Sequence, residues 1–461
     1  MAELNYDLLV IGGGASGSSA LTNLQDRGYK LALVERDKLG GTCLNYGCDP
    51  TKALLYIASQ LHKAQHAERY GLQIPHAGFD WSAVQKYVQK VINQIRGGTP
   101  EEADKNFKDA DLFKGQARFI SSHEVEVNGQ RLRAERIIIA SGTIATVPPI
   151  KGLKDAGFIT NVEAVSLAAL PKRLAILGGG PIGIEFSQMF RRFGVEVTVL
   201  EKAPHVLATE DRDMAEALVS LLSKEGINFK TSVEITQVSR TDSGKRLSLQ
   251  RENGSQSELV VDEILVAIGR TPALKEMDLE AAGVETTEKG IKVDKNLRTN
   301  VPHIWAAGDI ASKYQFTHVA SEQGKLAGLN AFATSPQAFD DSAIPWGTYT
   351  YPNLAHVGRT EEELREAGQE YRVVLHSFKE LVRAITDDQT EGMVKLLADP
   401  SGKILGGHVL AEQAGELLSP VVVAMKAGLP VSALAHTIQP YPTVAEAVMQ
   451  AAKQLLKKSN L

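Results

Sequence analysis

The 461 residues carry 50 basic against 55 acidic side chains, a formal charge of −5, and are 43% hydrophobic, enough for about three domains with large cores. There is no run of five or more like charges and no stretch of 18 unbroken apolar residues, so neither nucleic acid nor a membrane is an expected partner. The opening MAELNYDLLVIGGG lacks a basic n-region and a small-residue cleavage site, so a soluble, cytoplasmic protein is expected, working with small molecules, cofactors or a second copy of itself.

The chain begins with YDLLVIGGGASGSSALTNLQDRGYKLALVER, from Tyr6: apolar strand, glycine turn, helix, second strand, acid. Gly12, Gly14, Gly17 and the closing Glu35 fit the fingerprint of a dinucleotide-binding unit. The first glycine makes the tight turn, the second lets a pyrophosphate approach the backbone, and the third allows close packing of helix on strand. Helix N-terminal amides hold the phosphates, and the acid sits where an adenosine ribose hydroxyl would lie.

Next comes GGTCLNYGCDPTK, residues 40 to 52, which holds the only two cysteines of the chain, Cys43 and Cys48. A structural staple belongs to small secreted domains rich in cysteine, which this chain is not. A zinc site needs two further ligands at close spacing, and no histidine lies within ten residues of the pair, so no metal is expected there. Redox chemistry is the favoured reading for a cysteine pair in a reducing compartment.

The strand ERIIIASGT (135 to 143) ends in a glycine turn at Gly142, and the first plan then recurs from Arg173 as RLAILGGGPIGIEFSQMFRRFGVEVTVLEK. Its glycines are Gly178, Gly180 and Gly183 and its acid is Glu201; in both copies the acid falls 23 residues after the first glycine. Two copies in full context predict two dinucleotides in one chain, with hydride or electron traffic between them. A second returning strand, DEILVAIGRTP (262 to 272), turns at Gly269, and VPHIWAAGDIA places Asp309 behind another apolar strand and a glycine. From about Asp341 the pattern alternates as in antiparallel strands and then becomes helical, a third domain of another kind.

Together, GGTCLNYGCDPTKALL, the two fingerprints, AAGDIA and the C-terminal YPTVAE resemble the class I pyridine nucleotide-disulfide oxidoreductases, which include dihydrolipoamide dehydrogenase, glutathione reductase and mercuric reductase. The resemblance implies an α/β fold: an FAD-binding Rossmann-like domain from residues 1–150 and 271–340, an NAD(P)-binding one from 151–270, and an α+β dimerisation domain from 341–461. It also implies an obligate homodimer whose active sites use both chains. Carried over residue by residue, Gly12, Gly14, Gly17, Glu35, Gly142 and Asp309 hold FAD, and Gly178, Gly180, Gly183, Glu201 and Gly269 hold the nicotinamide cofactor. Glu201 and Gly183 favour NAD, with NADP the alternative because Lys202 stands beside the acid. Cys48 matches the flavin-side cysteine, Cys43 the interchange cysteine that meets substrate, and Lys52 with Glu185 the pair near flavin N5. Without the motif around them, Lys52 would read as a solvated lysine and Glu185 as a helix-surface acid.

In a regular helix, residues five apart have Cα atoms roughly 8 to 9 Å apart, beyond the usual limit of about 7 Å for a disulfide. Bridging the pair therefore needs a distorted turn, for which Gly47 and Pro50 are suited. Once the bond is open, thiolates near a helix N-terminus react at neutral pH.

Two positions depart from the family pattern. Asp49 stands where relatives usually carry an aliphatic residue; it is expected to be the N-cap ahead of Pro50, or else a negative charge that raises the Cys48 pKa and discourages anionic acceptors. In HTIQPYPTVAEAV the glutamate of the usual His–Glu pair is kept as Glu446, but the histidine position is Tyr441. Mercuric reductases also have tyrosine there, together with a C-terminal cysteine pair that this sequence lacks. A phenol of pKa about 10 cannot serve as the base that dithiol oxidation needs, whereas it can donate a hydrogen bond to a leaving thiolate.

The expected activity is electron transfer from NADH through FAD and the Cys43–Cys48 disulfide to a small disulfide or thiol-reactive acceptor. A mercuric reductase core, a dihydrolipoamide dehydrogenase and a flavoprotein sensor that does not turn over are the alternatives.

Overall fold

The computed structural model describes residues 4–457. Among the described residues, two parallel sheets and a five-stranded antiparallel C-terminal sheet, with smaller sheets beside them, give the arrangement expected of two Rossmann-like units and a C-terminal α+β unit. In the first sheet the strands Ile304–Ala306, Ile137–Ile139, Leu8–Ile11, Leu31–Glu35 and Asp111–Lys114 lie side by side, all parallel. Apart from the Asp111–Lys114 edge, every residue of these strands is buried, as continuous apolar runs covered on both faces require. Helix Ala15–Thr22 crosses helix Thr317–Phe332 so closely that a Cβ at Gly324 would lie 1.9 Å from the Ser16 carbonyl oxygen.

The second sheet repeats the plan with Asn228–Lys230, Glu196–Leu200, Arg173–Leu177 and Glu263–Val266, again parallel. Strands 137–139 and 304–306 of the first sheet thus come from either side of the second in sequence. The two crossings run together: Thr143–Ala145 pairs antiparallel with Arg270–Pro272. The antiparallel register sets the two glycine turns at opposite ends of this ribbon, where the Gly142 carbonyl accepts from the Ala273 amide and the Gly269 carbonyl from the Thr146 amide, each at 3.0 Å.

The C-terminal sheet is antiparallel, in the order Pro345–Thr348, Asn353–Gly358, Ile404–Ala411, Met393–Ala398, Arg372–Ser377. Helices Ala414–Lys426, Val431–His436 and Glu446–Lys457 pack an apolar layer against it, built from Leu418, Val421, Ala451 and Leu455 over Val394, Leu396 and Val409. Each fully buried leucine or valine among them contributes about 1.5–3 kcal/mol relative to exposure. Among the described residues no helix is long and apolar enough to cross a membrane.

Candidate active site

The two fingerprint turns have the same geometry. Gly12 and Gly178 adopt φ of +104° and +106°, a region closed to other L residues. A Cβ on Gly17 would meet the Gly12 carbonyl oxygen at 1.8 Å, and one on Gly183 the Gly178 oxygen at 2.1 Å, so the third glycine is fixed by contact between helix and strand. Gly14 and Gly180 are the N-caps of helices Ala15–Thr22 and Pro181–Arg192; neither has a side-chain cap, and a Cβ there would meet little or nothing. Both helix starts therefore present amides to open space, as a phosphate site requires.

The two acids do more than the sequence shows. Glu35 Oε2 accepts from the Gly13 amide at 2.6 Å and Oε1 from the Asp37 amide at 2.7 Å. Glu201 repeats this with the amides of Gly179 and Ala203, both at 2.7 Å. Each carboxylate thus clamps its own glycine turn while lining the cavity.

Cys43 lies in the short helix Gly41–Tyr46, and Cys48 is the first residue of helix Cys48–Gln65. The break between them is Gly47, at φ −130° and ψ −112°. The expectation that Asp49 caps this helix is overturned: Gly47 is the N-cap, and Asp49 and Pro50 already belong to the first turn. There Asp49 still favours the positive end of the helix dipole, and Pro50 gives up an amide that has no partner inside the helix.

Both cysteines are free thiols. Cys48 Sγ lies 3.4 Å from the Thr317 hydroxyl, at the start of helix Thr317–Phe332. A hydrogen bond from Cys43 holds the Cys48 thiol down to about 6; burial opposes this, and Thr317 and the Lys52 ammonium reinforce it. Cys43 is pushed well above the ordinary thiol range by the same pairing and by burial. The reduced pair is therefore a thiolate at Cys48 beside a thiol at Cys43.

One helical turn on, Lys52 Nζ donates to Glu185 Oε2 at 2.8 Å. Burial alone would lower the ammonium, but Glu185 outweighs it and holds Lys52 above its ordinary value. The other Glu185 oxygen accepts from the Tyr349 amide at 2.9 Å, and the Lys52 ammonium stands 4.6 Å from the Tyr349 ring centre. Three parts of the chain meet in this cluster: the dithiol helix, the helix of the second fingerprint and the C-terminal sheet.

A continuous cleft of about 1820 Å³ joins these features. Its wall includes Gly12, Gly14, Glu35, Cys43, Cys48, Lys52, Gly142, Asp309, Gly178, Gly180, Glu185, Glu201 and Gly269. Gly17 and Gly183 lie behind the wall in the helix packing. Burial pushes the Asp309 carboxyl up, against the Thr143 hydroxyl, which donates to it at 3.1 Å, and the nearby Arg270 guanidinium. Lys202 is tied to Glu234 at 2.9 Å. Thr317, Arg270, Tyr349, Trp346 and His318 also line the cleft. Sequence reasoning missed all five, because no local motif marks them and only the folded chain brings them to the cysteines.

Tyr441 and Glu446 are not on this wall. Tyr441 is 72% exposed and nearby Ile438 93% exposed, while Glu446 accepts from the Thr443 amide at 3.2 Å ahead of its own helix.

Comparison with known proteins agrees with this geometry. Residues 6–324 match the family described as pyridine nucleotide-disulphide oxidoreductase, and residues 344–452 match its dimerisation domain. The chain is 37% identical over 460 residues to dihydrolipoyl dehydrogenase of Thermus scotoductus, covering 98% of each. It is 35% identical to mercuric reductase of Lysinibacillus sphaericus, covering 98% of this chain and 82% of that one. Among solved structures, the Cu(II) complex of the HOCl-induced flavoprotein disulfide reductase RclA from Escherichia coli matches with a TM-score of 0.87 at 30% identity, covering 99% of this chain and 100% of the other.

Proposed function

Because this chain belongs to the class I pyridine nucleotide-disulfide oxidoreductases, we propose that it reduces a small disulfide or a related thiol-reactive compound at the expense of NADH. The observation that carries this reading is the pair of free thiols, Cys43 and Cys48, in one cleft with the two fingerprint glycine turns. Family members use FAD and NAD(P)H, and the residues fit both: two open helix N-termini, two glycine turns that tolerate no side chain, and a cavity large enough for two dinucleotides. Gly12, Gly14, Gly17, Glu35, Gly142 and Asp309 would hold FAD, within residues 1–150 and 271–340. Gly178, Gly180, Gly183, Glu201 and Gly269 would hold the nicotinamide cofactor, within 151–270. Together the two cofactors supply two electrons per turnover to the cysteine pair.

The steps at the cysteines follow from their geometry. With the pair reduced, Cys43 gives up its proton and its sulfur attacks one sulfur of the acceptor disulfide, expelling the first thiolate. The Cys48 thiolate then attacks Cys43 Sγ and expels the second thiolate, closing the Cys43–Cys48 bond. Two thiolates leave, one taking up the proton that Cys43 gave up and the other a proton from solvent, and the pair has lost two electrons. Thr317 and Lys52 stabilise the waiting thiolate at Cys48.

The dimerisation domain indicates a homodimer. The exposed Tyr441 and Ile438, away from the cleft of their own chain, support a site in which Tyr441 and Glu446 serve the dithiol of a second copy. Tyr441 would donate a hydrogen bond to the leaving thiolate. It also favours the second reading, a mercuric reductase core, since a phenol can position a thiol-bound metal ion. Anaerobic reduction by NADH followed by lipoamide, glutathione disulfide, quinones and Hg(II) tests these readings. Steady turnover on a disulfide supports the first and fast Hg(II) reduction the second; fast NAD reduction by dihydrolipoamide points to a dihydrolipoamide dehydrogenase, and no turnover on any acceptor to a sensor.

A further inference from the structure

The strand pairings of the C-terminal sheet set Trp346 opposite His356, His356 opposite His408, and His408 opposite Lys395. Residues directly opposite on neighbouring strands share a face. This row therefore points one way, and what it meets is the segment carrying Glu210, Asp211 and Asp213. Glu210, His356 and His408 are 4%, 1% and 0% exposed. One ligand atom from each lies within 4.8 Å of the others.

One hydrogen bond fixes where the His356 lone pair points. His356 Nε2 lies 3.0 Å from the Gly358 carbonyl oxygen, which can only accept, so Nε2 carries the proton and Nδ1 a lone pair. That Nδ1 faces Glu210 Oε2 at 3.3 Å, another acceptor. His408 Nε2 lies 3.0 Å from Asp211 Oδ2, an approach by distance without hydrogen-bond alignment, and His408 Nδ1 has no hydrogen-bond partner. A carbonyl oxygen behind His356 and a carboxylate oxygen behind His408 resemble the outer oxygens that usually stand behind metal-ligating histidines. A single proton could join Glu210 to His356 but would leave His408 Nδ1 unsatisfied in a dry interior, whereas one cation satisfies all three.

Charge supports the same reading. Three carboxylates, Asp211, Asp213 and Glu361, share one cation, Lys395, whose ammonium lies 3.3 Å, 2.9 Å and 2.6 Å from them, while Glu210 faces Trp346 and His356 instead. Glu210 also accepts from Trp346 Nε1 at 2.7 Å through its other oxygen, which holds Oε2 toward the histidines.

We propose that Glu210, His356 and His408 bind one divalent transition-metal ion, zinc by preference, which fastens the segment carrying Glu210 and Asp211 to the C-terminal sheet. Two imidazoles and a carboxylate are a donor set that zinc takes readily, at bonds of about 2.0–2.2 Å, and closing on the ion would draw the three ligand atoms together by roughly an ångström. Asp211 acts through His408, and Trp346 carries the consequence to the cleft it lines.

The test uses the full chain with its flavin and with Cys43→Ser and Cys48→Ser, so that the dithiol cannot take the metal. After chelator treatment, zinc chloride is titrated against a chromophoric competitor and bound zinc is counted by mass spectrometry. About one zinc per chain is expected, falling to near none with His356→Gln or His408→Gln. Asp211→Asn should weaken binding roughly 10- to 100-fold. Glu210→Gln guards against misfolding: its amide can donate to His356 Nδ1, so this variant should keep its flavin and its melting temperature without chelatable metal while losing zinc. Absence of stoichiometric zinc in the double-serine background, or equal zinc in the folded Glu210→Gln chain, overturns the proposal.

Discussion

Lys52 Nζ and Glu185 Oε2 lie 2.8 Å apart, and through this ion pair the helix that bears Cys48 is joined to the helix that opens the second cradle. Glu185→Gln removes the charge that offsets the burial of Lys52, so the ammonium should fall toward its neutral form. Flavin reduction by NADH is expected to slow by about tenfold or more, or about 1.4 kcal/mol in the barrier. Stopped-flow measurement on Lys52→Met, Glu185→Gln and the double variant should show the double no slower than the worse single. Fully additive losses would mean that the two residues act separately.

Cys48 should be the more ionised thiol of the reduced enzyme. With a pKa held down to about 6, it is about nine-tenths ionised at pH 7, and its alkylation rate should rise with pH through a midpoint near 6 and then level off. Cys43→Ala removes the hydrogen bond that lowers this value and keeps the burial that raises it. The midpoint should then climb to the ordinary thiol value of about 8.5 or beyond. Iodoacetamide labelling read by peptide mass spectrometry measures both, and an unmoved midpoint in Cys43→Ala would refute the pairing.

The nicotinamide cofactor should be NADH. Glu201 is held in place by two amides, and Lys202, the one feature that favoured a 2′-phosphate, is engaged by Glu234. The kcat/KM for NADH should therefore exceed that for NADPH, and Glu234→Gln should narrow the gap by freeing Lys202. An exposed pair of this kind is worth about 0–1 kcal/mol, so the change should be no more than about fivefold. Steady-state kinetics with both cofactors decide the point, and a preference for NADPH in the unaltered protein would sink it.

Tyr441 should set the direction of turnover. Ionising a phenol at pH 7 costs about 4 kcal/mol, near a thousandfold in rate, so dihydrolipoamide oxidation by NAD should be slow. Tyr441→Phe should slow acceptor reduction and leave flavin reduction by NADH unchanged. Tyr441→His should raise dihydrolipoamide oxidation. Equal rates for dihydrolipoamide oxidation and reduction of the best acceptor in the unaltered enzyme would contradict this assignment.

The two glycine turns were legible in the chain because each is local: turn, helix start and acid lie within 23 residues, and steric limits on Gly12, Gly17, Gly178 and Gly183 write themselves into residue type. The cysteine pair was legible for the same reason, its break falling at Gly47. The helix start was misread at Asp49, since an acid in a first turn and an acid at an N-cap leave the same trace in sequence and differ only in backbone angles.

What folding alone decided is contact between distant segments. Thr317 reaches Cys48 across 269 positions, Tyr349 reaches Glu185 across 164, and Glu210 meets His356 and His408 only because antiparallel register sets the two histidines opposite each other beneath it. A sequence records periodicity and turn chemistry within an element; which side chains share a dry space depends on how whole sheets and helices pack, and that is fixed by the summed burial of residues far from the site.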